Sequence, residues 1–128
     1  EGVKYMGFVD DLQEEYKEAR VVIVPIYGGA GTNIKVLEAM QMRRPCVTTQ
    51  YGVRGFSEYF ADSREILVAE SDAEFAEKVV ALLRDEKQNL AIAARAYDAM
   101  KAHFSRDAFN EIVEGRLSNV SFVYHTGV

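Results

Sequence analysis

GGAGTNIKVLEAMQ, residues Gly28–Gln41, sets three glycines and a threonine between the β-branched run Arg20–Ile26 (RVVIVPI) and a helical apolar pattern over Thr32–Gln41. Strand, bare turn and helix in that order put the glycines at the carboxyl end of a strand, the edge where open parallel sheets bind ligands. Glycine there allows positive φ and lets a ligand approach the backbone closely. The first helical N–H groups, around Thr32 and Asn33, lack intrahelical acceptors and favour an anion. The loop Gly28, Gly29, Gly31, Thr32 and Asn33 therefore reads as a phosphate cradle. At about 100° per residue Lys35 and Glu38 fall on the same side of the helix as Gly31. At about 1.5 Å per residue Glu38 lies roughly 10 Å along the axis from Gly31. That spacing suits a diphosphate at the loop and the hydroxyls of its ribose at Glu38. The competing reading is an exposed i, i+3 pair of Lys35 and Glu38 worth a few tenths of a kcal/mol. Glu38, however, stands between Leu37 and Ala39 on the apolar stripe, and a half-buried carboxylate needs a partner.

Outward from this stretch the chain alternates. Val3–Val9 (VKYMGFV) is strand-like, and Asp10-Asp11 can cap a helix with Leu12, Tyr16 and Ala19 on one side. No aspartate follows Val21–Val24 where a phospho-acceptor would stand, so capping explains the acidic pair better than a receiver-like site. Arg20–Ile26 is the type of run found in parallel strands covered on both faces. Pro45–Thr49 (PCVTT) and Glu65–Glu70 (EILVAE) predict two further strands, separated by the loop Gln50–Phe56. Ser71 and Glu74 form a capping box before a helix carrying Phe75, Val79, Leu82 and Leu83. Lys87–His103 and Ser105–Leu117 are amphipathic, and residues 118–128 have too little periodicity to place. The pattern predicts an α/β fold, a Rossmann-like parallel sheet with helices on both faces. Three or four strands are few for a doubly wound domain, so an incomplete domain is expected, and the opening at Glu1 reads as a piece of something longer.

Composition narrows the function classes. The 128 residues are 48% hydrophobic and 27% charged, the balance of a globular chain. The apolar runs are far below the roughly 20 residues of a transmembrane helix. A net charge of −5 argues against a general nucleic-acid partner. The lone Cys46 permits no internal disulfide and reads as a small buried strand residue, in keeping with a cytoplasmic protein, at most peripheral at a membrane. His103 and His125 have no ligand-spaced neighbours, so no metal site is indicated. Phe104, Phe109 and Phe122 read as core or domain-docking residues.

The segment Gly7–Phe56, GFVDDLQEEYKEARVVIVPIYGGAGTNIKVLEAMQMRRPCVTTQYGVRGF, resembles the carboxyl-terminal, nucleotide-sugar-binding half of GT-B-fold glycosyltransferases, in particular glycosyltransferase family 4. The likeness runs in order from Gly7 to about Leu117: a Gly-Phe-Val strand, a helix ending in Ala, a strand ending in Pro, a glycine loop, K-x-L-E-A-M, a short strand with Pro and Val, and a glycine-containing loop. HFSRDAFNEIVEGRL resembles the family's terminal helix. The resemblance implies that residues 1–117 are part of a donor-binding domain in a retaining glycosyltransferase that takes sugar from a nucleotide-sugar. It implies that Glu38 binds the donor ribose and that Gly31, Thr32 and Asn33 give backbone amides to the diphosphate, with Gly28, Gly29 and Lys35 beside them. Arg54, in a loop resembling the one that closes over base or diphosphate, is a candidate phosphate contact. Many members carry a glutamate eight positions before the second one, contacting the donor sugar, where this sequence has Ala30. The amino-terminal acceptor domain and the first donor-domain strands are expected upstream of Glu1. The isolated chain is then expected to be inactive and to dimerise or pair its sheet edges, and the parent to need no cofactor or essential metal. Two alternatives stay open: half of a nucleotide-sugar epimerase, for which no acid and base pair stands near Ala30, and a non-catalytic nucleotide-binding or assembly module.

Overall fold

A computed structural model describes residues 2–29 and 33–106. The elements in order are α1 (Leu12–Glu18), β1 (Val22–Val24), α2 (Ile34–Gln41), β2 (Cys46–Thr49), β3 (Leu67–Ala69), α3 (Asp72–Arg84) and α4 (Glu86–Phe104). The three strands form one parallel sheet in the order β1-β2-β3, with Val22 beside Cys46, Ile23 beside Val47 and Val47 beside Leu67.

Strand alternation splits the core into two layers. Cys46, Val24 and Val68 face one side, where Val36, Ala39 and Met40 of α2 cover them together with Val53, Phe56 and Phe60 from the turns after β2. Val47 and Leu67 face the other side and meet Leu82 of α3 and Ile92 of α4. Helices therefore cover both faces, as the alternating sequence predicts. The helix α4 serves both layers, since Ala96 and Met100 join the first cluster and Ile92 the second. It also closes the amino ends of the strands. Asn89 Nδ2 donates to the Arg20 carbonyl at 2.9 Å and Arg95 Nε to the Arg64 carbonyl at 2.8 Å, ahead of β1 and β3 respectively. The carboxyl ends are left for the loops.

The caps follow sequence logic. Asp11 Oδ1 accepts from Gln13 N at 3.0 Å, and Ser71 Oγ accepts from Glu74 N at 3.2 Å. Each satisfies an orphan amide of a first turn. The Glu74 carboxylate reaches back to Glu70 N at 2.9 Å, one residue before the position a capping box uses.

Three expectations are corrected. Val3–Val9 forms no strand among the described residues, and Val3, Tyr5 and Phe8 are each more than 90% exposed. A strand needs a neighbour to take its N–H and C=O groups, and none of the three strands pairs with this segment. The run Arg20–Ile26 is covered on both faces only in part: Ile23 stays 52% exposed because β1 is the sheet edge and α3 packs over β2 and β3 instead. The helix expected over Thr32–Gln41 begins at Ile34, with Asn33 as its cap. Its chain leaves at Arg43, which takes a left-handed φ of 54° before Pro45. The expected helix Ser105–Leu117 and the tail 118–128, with Phe109, Phe122 and His125, lie outside the described residues. Phe104 does pack as core, edge-on to Phe56 at 5.6 Å and to Tyr59 at 4.9 Å. Cys46 is fully buried, and burial pushes its thiol up to about 12.

Candidate functional site

The carboxyl edge is built by two threonines and a glycine of β2 and its exit turn. Thr48 Oγ1 donates to the Val24 carbonyl at 2.9 Å, and the Thr49 hydroxyl donates to the Ile26 carbonyl, so β2 holds the end of β1 by side chains as well as backbone. Thr49 Oγ1 also accepts from Gly52 N at 3.0 Å, which curls the chain back over the strand end. Gly52 is pressed so closely that a Cβ there would lie 2.0 Å from Thr48 Oγ1. Val53 and Phe56 are buried, so the segment 50–56 is an anchored turn.

That turn carries Tyr51 and Arg54 to the glycine loop. The Tyr51 hydroxyl donates to the Gly29 carbonyl, Arg54 Nη1 donates to Tyr51 Oη at 2.9 Å, and Arg54 Nη2 reaches the Gly29 carbonyl at 3.5 Å. The guanidinium lies over the Tyr51 ring, 4.3 Å from its centroid. Gly29 has a φ of 116°, a conformation open to glycine and strained for other residues. Gly29 and Arg54, far apart in sequence, thus meet at the end of β1. On the other flank the Tyr27 hydroxyl donates to Asp72 Oδ1 at 2.7 Å, tying the loop to the first turn of α3. That hydrogen bond, and then burial, push the Tyr27 hydroxyl up from its ordinary value. Between these groups a cavity of about 390 Å³ opens over all three strand ends, lined by Tyr27, Thr49, Gln50, Tyr51, Ala69 and Glu70.

Glu38 stands elsewhere on α2. It is half-buried, and the partner that its setting demands is Tyr16 of α1, whose hydroxyl donates to Glu38 Oε2 at 2.9 Å. The two side chains line a cavity of about 190 Å³ with Leu12, Gln13, Gln41 and Met42. Lys35 is exposed, lines neither cavity and makes no ion pair with Glu38, so the i, i+3 pair is not formed. Asn33 caps α2 without a side-chain capping bond. Gly28 is exposed, with nothing within 4 Å of a Cβ built there. Gly31, Thr32 and Ala30 lie outside the described residues. No sequence motif marks Tyr16, Tyr51, Thr48, Thr49 or Gly52. Only the demand of a half-buried carboxylate for a partner pointed towards one of them. Among the described residues no three His, Cys, Asp or Glu side chains gather as a metal-holding group, and no helix is long and apolar enough to cross a membrane.

The profile of the family described as Glycosyl transferases group 1 matches residues 1–85. The chain belongs to the glycosyl transferases group 1 family. No curated protein matches it. Among solved structures, the C-terminal domain of a glycosyl transferase group 1 family protein (LpcC) from Francisella tularensis is similar, with a TM-score of 0.66 and 24% identity. The similarity covers 79% of this group 1 chain and 53% of that one, so the chain spans about half the length of the domain it matches. At this identity the likeness speaks for the fold: the parallel α/β sheet of the group 1 chain is that of the carboxyl-terminal half of a GT-B glycosyltransferase.

Proposed function

We propose that this chain holds the nucleotide end of a nucleotide-sugar, and that the parent protein transfers the sugar to an acceptor with retention. The observation that carries the reading is the convergence of Arg54 and Tyr51 on the Gly29 carbonyl. It sets a fixed cation beside a bare backbone at the carboxyl edge of the sheet. Arg54 with the backbone amides of Gly28, Gly29, Gly31, Thr32 and Asn33 holds the diphosphate. As the sugar leaves, negative charge grows on that diphosphate, and donors already aimed at it lower the barrier. Lys35 adds long-range attraction. Glu38 accepts hydrogen bonds from the ribose hydroxyls. The acceptor sits on the amino-terminal domain of the parent, which closes the cleft, so this chain alone positions one reactant and is inactive as a transferase. Arg54 and the helix amides supply the charge compensation, and no cofactor or essential metal takes part.

The test is calorimetric titration of the parent protein with nucleoside diphosphates. Glu38→Ala should weaken binding by about 1–3 kcal/mol, roughly 5- to 150-fold, the cost of losing hydrogen bonds to a charged group. Unchanged affinity would remove Glu38 from the site, and no binding of any nucleoside diphosphate to the wild type would overturn the reading itself.

A further inference from the structure

We infer that Tyr16 is a positioning residue for Glu38: its hydroxyl fixes one carboxylate oxygen so that the other is presented to the ribose hydroxyls. The inference rests on the nucleotide reading above and adds a residue from a different element. Tyr16 Oη donates to Glu38 Oε2 at 2.9 Å, and among the described residues Oε1 has no hydrogen-bond partner. A glutamate on a helix surface samples several rotamers, and holding one of them removes an ordering cost that a ligand would otherwise meet.

The anchor itself is held at both ends. The ring of Tyr16 packs against the core layer of α2 and β2, and the backbone at this last turn of α1 is gripped by Arg44, immediately ahead of β2. Arg44 Nε donates to the Tyr16 carbonyl, which also accepts from Ala19 N at 3.2 Å, and Arg44 Nη2 donates to the Lys17 carbonyl, both Arg44 bonds at 2.7 Å, so the side chain reinforces the end of α1 where helical donors run out. Burial first, then the hydrogen bond and charge of Glu38, push the Tyr16 hydroxyl up to about 12, so it remains a donor throughout the working pH range. The cavity that the pair lines is about 190 Å³, below the roughly 300 Å³ of pockets that enclose a whole drug-sized ligand. It suits a single hydroxyl-bearing ring better than an entire nucleotide.

The experiment titrates the parent protein with UDP, GDP and ADP, and compares the tightest binder with its own 2′,3′-dideoxy form. Removing the hydroxyls isolates the carboxylate contact. In the wild type the ribose form should bind roughly tenfold or more tightly, and Glu38→Ala should bring the ratio near one. Tyr16→Phe, which keeps the ring and its packing, should reduce the ratio about three- to tenfold while leaving the affinity of the dideoxy form unchanged. Tyr16→Phe combined with Glu38→Ala should match Glu38→Ala alone. A wild-type ratio in Tyr16→Phe, with the ratio lost in Glu38→Ala, overturns the role of Tyr16 and leaves the nucleotide reading standing. An equal loss of affinity for both forms in Tyr16→Phe shows a merely structural role and also overturns it. A ratio unaffected by Glu38→Ala overturns the ribose assignment and this inference with it.

Discussion

Replacing Gly52 by alanine probes the joint on which the carboxyl edge depends. The new Cβ would lie 2.0 Å from Thr48 Oγ1, 3.3 Å from Thr48 Cβ and 3.4 Å from the Val24 carbonyl oxygen. Thr48 is fully buried, so its hydroxyl can move away only by giving up its 2.9 Å bond to that same carbonyl. Leaving a buried pair unsatisfied costs about 1–3 kcal/mol. Overpacking a filled core costs about 1–3 kcal/mol more. The sum, about 2–6 kcal/mol, is a large part of the roughly 5–15 kcal/mol that holds a domain together. At about 4 °C per kcal/mol for a domain of this size, the melting temperature should fall by roughly 8–24 °C. Thermal melts followed by far-ultraviolet circular dichroism read this directly. Thr48→Ala alone should cost about 1 kcal/mol for its hydrogen bond. Combined with Gly52→Ala it should melt higher than Gly52→Ala alone, because the closest clash is gone. A Gly52→Ala protein melting within about 2 °C of the wild type, or strictly additive effects in the pair, would refute the packing argument.

Arg54→Ala should weaken nucleoside diphosphate binding by about 1.5–3 kcal/mol, and Arg54→Lys should recover only part of that, since an ammonium lacks the planar fork; unchanged calorimetric affinity in Arg54→Ala would place the diphosphate elsewhere. Transfer by the parent protein should be unaffected by EDTA, and activity lost to the chelator and restored by a divalent cation would contradict the metal-free reading. The 128-residue chain should self-associate through β1, the edge of the sheet among the described residues, where Ile23 is 52% exposed, and Ile23→Lys should lower the mass measured by light scattering on a sizing column. A wild-type chain that is monomeric at all concentrations would oppose this.

The core of the fold was legible because its signals are local. Val22–Val24, Cys46–Thr49 and Leu67–Ala69 sit inside β-branched runs, and Asp11 and Ser71 each stand one residue ahead of a helix that they cap. The glycine loop announced its edge of the sheet for the same reason. Val3–Val9 misled because alternation describes what a strand would bury, whereas pairing depends on a neighbour that the pattern does not contain. The start of α2 at Ile34 is not legible in the sequence because threonine and asparagine suit a cap as readily as a first turn. The partnership of Tyr16 with Glu38 was legible from one side only: a half-buried carboxylate predicts some donor, but a residue 22 positions away on another helix is chosen by packing. Thr48 and Thr49 looked like ordinary strand formers, and only the meeting of β1 with β2 turns their hydroxyls into fasteners for the chain beyond Val24.

The central claim, a nucleotide held at the carboxyl edge, is tested most directly by amide hydrogen exchange on the parent protein with and without saturating nucleoside diphosphate. Binding stabilises the segments it orders, so exchange should slow in residues 28–38 and 50–56. The helix α4, which closes the opposite ends of the strands, should exchange unchanged. Protection confined to α4, or nucleotide binding that leaves both loop segments unprotected, would contradict the account.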